Sequence, residues 1–185
     1  MNRLLINLQH YRTNLLLLGL SLSMACNNDS TNEEGSSDNL NASGTIQLSG
    51  DETSDIGSSL KIGNIATGRS DLTGNSKTII ITDDKTKIDE NGPIPSDLQN
   101  NFIIIGLDLG ESSTSDASKS LSMNITIDGT EYKHACASPN FGSFIDCGSN
   151  YSIDFDKKEV IFSETTVINT KTNAILTMNG TVLWK

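Results

Sequence analysis

From Thr45 to Trp184 apolar and polar positions alternate with a period of two, in runs separated by Gly, Asn, Asp and Ser. Successive side chains of a strand point to opposite faces, so this period predicts half-buried β-strands joined by turns. The runs fall near 45–49, 59–66, 77–83, 101–109, 121–128, 131–137, 151–155, 159–169 and 174–184. In the clearest, Leu121, Met123, Ile125 and Ile127 share one face and polar residues the other. Asp128-Gly129 then has the chemistry of a hairpin turn, and 156–159 and 171–173 predict two more. In the final run Leu176, Met178, Val182 and Trp184 share a face, with Gly180 between them as a bulge or close-packing point. No stretch sustains a 3.6-residue apolar period. A single turn after Pro95, capped by Ser96, is the best helical candidate. The pattern predicts an all-β chain of about nine strands, an antiparallel β-sandwich (immunoglobulin-like or similar) over residues 44–185.

The N-terminus follows different rules. Arg3 and Arg12 precede the apolar run Leu15–Leu22, small residues lead up to Cys26, and no acid occurs before Asp29. Positive charge, a short apolar core and a small residue at the cut site make a secretory leader. At about 1.5 Å per helical residue the run is too short for a bilayer core of about 30 Å. Leu22-Ser23-Met24-Ala25-Cys26 resembles the lipobox of bacterial lipoproteins, in which the Cys is acylated and becomes the new N-terminus. The match is relaxed, with Leu22 one place early and Met24 where a small residue is usual. The resemblance implies a signal peptide over 1–25, lipidation (palmitate among the acyl chains) at Cys26, and anchoring to the outer membrane of a bacterial envelope, on its periplasmic or surface face. The alternative is a secreted protein with a free Cys26.

Residues 27–43 are Asn, Ser and acid with one large apolar side chain, Leu40. Such a composition cannot offset the entropy of ordering, so 26–43 reads as a lipidated Cys followed by a disordered acidic tether. A flexible coil of that length spans on the order of 20–25 Å. The full chain carries a formal charge of −10, with 13 basic and 23 acidic residues, and loses Arg3 and Arg12 with the leader. An acidic balance excludes a nucleic-acid partner, which needs a basic face to displace counterions. It leaves the lipid, rather than surface charge, to hold the protein to a membrane.

Three cysteines leave one unpaired in any disulfide scheme. With Cys26 lipidated, Cys136 and Cys147 remain as a pair, and an oxidising compartment permits their disulfide. The enclosed segment holds Phe141, Phe144 and Ile145. A stapled loop loses little entropy on docking, so these three form a candidate binding loop for a protein or glycan ligand, with Tyr132 and Tyr151 extending the patch. The competing reading, favoured by the scarcity of aromatics for a core, tucks Phe141 and Phe144 inward to plug one end of the sandwich.

Catalytic patterns are sparse. Beyond the leader, His134 is the only histidine, placed on a face with Tyr132 and Cys136; it reads as a strand histidine before a proton-transfer group. Ser58-Ser-Leu-Lys61 and Ser37-Asp38-Asn39 match two serine-hydrolase motifs, but in the wrong order and on the wrong elements. One His and a disulfide cannot make a zinc site. Asp83, Asp84, Asp89 and Glu90 flank the long polar loop 84–100 and are weak candidates for Ca²⁺, which takes oxygen ligands, although two lysines intervene. The same acids are the candidates for a carboxylate-based hydrolase acting on glycans or peptides. The leading expectation is a lipid-anchored, non-enzymatic binding or structural module without a cofactor; the hydrolase and a Ca²⁺-stabilised adhesin-like module are the alternatives.

Overall fold

The computed structural model describes residues 40–70, 76–109, 118–140, 142–148 and 151–185. The leader, Cys26, the tether as far as residue 39, Ser37–Asn39, residues 110–117 and Phe141 lie outside the described residues.

The chain is all-β and antiparallel, as its alternation predicts. Twelve strands and one short helix follow in order: β1 (Leu40–Gly50), α1 (Thr53–Ile56), β2 (Ser59–Lys61), β3 (Asn64–Ser70), β4 (Ser76–Thr82), β5 (Thr86–Asp89), β6 (Gly92–Pro95), β7 (Asn101–Asp108), β8 (Lys119–Ile127), β9 (Thr130–Ser138), β10 (Ser152–Asp154), β11 (Glu159–Asn169) and β12 (Ile175–Trp184). The expected sandwich is not formed. The main sheet runs β11-β12-β1-β3-β4-β7-β8-β9, and β9 pairs back to β11, closing eight strands into one barrel. Each barrel strand lies beside its sequence neighbours. A sandwich and a barrel demand the same alternation, and closure depends on whether the first and last strands meet. Here β1 pairs with β12 from Ala42↔Trp184 to Gly50↔Leu176.

Other boundaries also move. β1 reaches back to Leu40: Leu40 and Asn41 pair with Ile65 and Asn64 of β3, so the last four residues assigned to the tether belong to β1. The run 59–66 is two strands: β2 pairs with β1, and β3 starts after a kink at 62–63. The loop 84–100 contains the hairpin β5–β6. No helical turn follows Ser96; instead Asp97 Oδ1 accepts from the backbone N–H groups of Gln99 and Asn100. The helix lies at α1, too short to leave a period in the sequence.

Inward positions fill the barrel. Ile46, Ile65, Ile79, Ile81, Ile104, Val160, Val167, Leu176, Met178 and Val182 have no exposed surface, and each such side chain contributes about 1.5–3 kcal/mol. Thr45, Gln47, Ser122, Asn124, Lys133, Thr177 and Thr181 take outward positions on β1, β8, β9 and β12. Apolar inside and polar outside is the reverse of a lipid-facing barrel wall. In β11 the register shifts between Phe162 and Thr165, opposite Gly180, so the bulge is on β11 and the glycine faces it.

Candidate functional site

The disulfide predicted from cysteine arithmetic is formed between Cys136 and Cys147, and its role lies in the barrel wall. β9 and β11 share two ladder pairs, Ala135↔Ile168 and His134↔Asn169. Beyond these the strands diverge, and residues 145–147 fill the gap. Ala137 N–H donates to Ile145 C=O on one side and Thr166 N–H to Cys147 C=O on the other. Thr166 Oγ1 also donates to the Asp146 carbonyl at 2.7 Å. Asp146 Oδ1 accepts from Ser138 Oγ at 2.5 Å and Gly148 N–H at 2.8 Å. The Ser138 hydroxyl, then the Gly148 amide, hold that carboxyl below its ordinary value of 3.8. The disulfide, with Cys147 fully buried and Cys136 nearly so, bolts this filler into the seam.

Phe144 sits on the stapled loop and is 37% exposed, so it does not tuck inward. Phe141 is outside the described residues. The plug expected of the two phenylalanines is supplied by Tyr151, which was expected on the surface. Its ring has no exposed surface and stacks on Phe162 at 5.6 Å. Gly106 makes this fit, since a Cβ there would strike the Tyr151 hydroxyl and Ile79. Burial, reinforced by the charge of Asp108, pushes the phenol above its usual range, and the hydroxyl has no hydrogen-bond partner among the described residues. The ammonium groups of Lys77 and Lys119 donate to the carbonyls of Ile153 and Tyr151 at 2.8 and 2.9 Å, fixing β10 and the residue before it over the barrel end.

Beside Phe144 the outer wall is hollowed. Two cross-strand rows, Leu107–Ser120–Ala137 and Ile105–Ser122–Ala135, place taller side chains on β7 and small ones on β8 and β9. The trough between Ile105, Leu107 and Phe144 has a volume of about 470 Å³ and a largely apolar lining. Ile105 is 43% exposed in it. Alternation showed Ser120 and Ser122 as merely polar; the signal overlooked was their small size beside two alanines in register. A second groove of about 520 Å³ lies where β1 begins and β12 ends, flanked by Lys157, Lys158 and Trp184. Lys157 there is paired with Asp154 at 3.2 Å and Glu159 at 3.6 Å.

His134 is buried on the same face of β9 as Cys136, at the end of the barrel where β11 finishes. Its Nε2 lies 2.6 Å from Glu52 Oε2. Glu52 also accepts from Asn169 Nδ2 at 2.9 and 3.1 Å and from Thr172 Oγ1 at 2.9 Å. Burial is the largest influence on this carboxyl and raises it, but the bonds from Asn169, Thr172 and His134 and the histidine's charge together prevail, leaving it below its ordinary 4.5. Glu52 was not singled out from the sequence, because its partners lie 82 to 120 residues away.

The four acids near loop 84–100 do not converge. Asp83 and Asp84 precede β5, and Asp89 and Glu90 follow or end it; at about 3.3 Å per residue the two pairs stand on the order of 15 Å apart. Asp83 Oδ1 accepts from Lys85 N–H, and Asp89 Oδ1 from Asn91 N–H, so both shape turns. Among the described residues no group of three or more His, Cys, Asp or Glu is placed to hold a metal, and no helix is long and apolar enough to cross a membrane. No family model matches the chain, and neither a curated protein nor a solved structure matches it.

Proposed function

We propose that the chain is a lipid-anchored envelope lipoprotein whose barrel is a non-enzymatic recognition module, with the trough beside Phe144 as its contact surface for a protein or glycan. The observation that carries this reading is the exposed Phe144, held beside an apolar trough by a loop that is itself part of the barrel wall. Such a surface is preorganised, so little ordering entropy opposes binding. Exposed apolar hollows on an otherwise polar wall are the usual marks of interaction sites. Recognition accounts for the surface better than turnover does, since the acids of loop 84–100 stand apart and His134 is enclosed. The leader and Cys26 account for the anchor.

Two experiments test the two halves separately. In cells expressing the chain, Cys26→Ala should release the protein from the membrane fraction and abolish labelling by radioactive palmitate; retention with label would refute the anchor. A photo-crosslinking residue at Ser122 should trap a discrete partner, while one at Thr181, exposed on β12 of the wall, should not. Equal trapping at both positions, or none at Ser122, would refute the trough as the contact surface.

A further inference from the structure

Helix α1 crosses the barrel mouth. It packs against β1, from which it emerges, and against β8, and in the closed order of eight strands these two stand opposite one another. Ile56 is its buried contact. Glu52, at the start of the helix, is tied by its carboxylate to β9 through His134, to the end of β11 through Asn169, and to the following turn through Thr172. Gly57, with φ 84 and open space around its Cα, closes the segment. We propose that residues 51–58 form an acid-releasable plug, held across the mouth by the ionised Glu52 carboxylate and freed when that carboxylate takes a proton.

The hydrogen-bond directions give the reason. A carboxylate only accepts, and three donors surround it. A protonated carboxyl must donate, yet Asn169 Nδ2 can only donate, and Thr172 Oγ1, which gives its proton to the carboxylate, would have to turn that proton elsewhere before it could accept. Among the described residues His134 is the one ionisable partner. Its other nitrogen, Nδ1, is buried without a partner among the described residues. A neutral Glu52 no longer offers the His134 ring the negative charge that holds it at 2.6 Å. A buried carboxyl O–H without an acceptor calls for water, which enters only if the segment lifts. Other charges on the elements around Glu52 are Asp51 and Asp55 beside it, Lys61 on β2, Lys119 on β8, Glu131 and Lys133 on β9, Glu159 and Glu164 on β11, and Lys171 on the turn. Lys133 is engaged with Glu131 at 2.8 Å, and Lys119 with the Tyr151 carbonyl at 2.9 Å.

Native-state hydrogen exchange from pH 7 to pH 3 tests the plug, with rates corrected for intrinsic pH dependence. The amides of Asp55, Ile56 and Gly57, which donate within α1, report the segment. Met178 on β12 and the fluorescence of Trp184, which packs edge-on to Phe155, report the barrel. The expected result is a fall in protection at 55–57 approaching about tenfold per pH unit as pH drops below a carboxyl's ordinary 4.5, with Met178 and Trp184 unchanged. Protection at 55–57 that persists until the Trp184 signal itself is lost would overturn the proposal. Glu52→Gln, which cannot titrate and adds a donor, should show low protection at 55–57 already at pH 7 and no further loss in acid; a variant retaining the wild-type profile would likewise overturn it.

Discussion

Replacing both Cys136 and Cys147 with Ala isolates the contribution of the seam. The cross-link joins residues 11 apart in sequence, and in the chain-entropy account a loop of that size restricts the unfolded chain by about 2.8 kcal/mol at 25 °C. Alanine is the right replacement, because both sulfurs are buried and a serine hydroxyl at 147 would lack solvent. Folding of roughly 145 residues carries an unfolding entropy near 0.3 kcal/mol/K, so the melting temperature should fall by on the order of 9 °C. The loss should exceed the entropic figure by about 1 kcal/mol if the filler 145–147 also detaches, since Ala137, Thr166 and Ser138 then lose partners. Urea denaturation followed by Trp184 fluorescence measures the total. Hydrogen exchange at Ala137 and Thr166 measures the detachment. A change below about 1 kcal/mol, with both amides still protected, would refute the view that the disulfide completes the wall.

Tyr151→Phe should be neutral or stabilising by up to about 1 kcal/mol, because it removes a buried hydroxyl without a partner, whereas Tyr151→Ala should cost about 3–5 kcal/mol as a cavity; thermal melts of both variants decide. Gly106→Ala should cost about 1–3 kcal/mol by overpacking, and Tyr151→Phe in the same chain should recover part of that loss, because it deletes the atom the new Cβ strikes; additive effects in the double-mutant cycle would contradict the contact. For Glu52, whose carboxyl lies below its ordinary value when folded, the stabilisation is complete above the unfolded value and is lost as pH falls through the folded one. Wild type should therefore lose more stability than Glu52→Gln between pH 7 and pH 3 in chemical denaturation; parallel profiles would refute the assignment.

The alternation of side chains carried the strand content, because burial on one face imposes period two whatever the partner strand is. It marked the runs at 77–83, 101–109, 121–128 and 159–169 closely. It passed over β5 and β6, whose Lys, Asp, Gly and Pro look like a loop, and α1, which is a single turn. The trough was half legible: Ser120, Ser122, Ala135 and Ala137 could be read as small, but only their register beside Ile105 and Leu107 makes a hollow. Phe144 was named from the sequence, and its outward direction was not, since Tyr151 competes for the same interior and Gly106 settles the fit.

By itself the sequence determined the strand pairs linked by short turns, the pairing of Cys136 with Cys147, and the acidic character of the chain, all of which depend on neighbours or on counting. The tertiary structure alone decided that the sheet closes, that residues 145–147 complete its wall, and that Glu52 meets His134, Asn169 and Thr172. Each of these joins residues far apart along the chain, whose meeting depends on the twist and register summed over every intervening strand, and local periodicity holds no record of that sum.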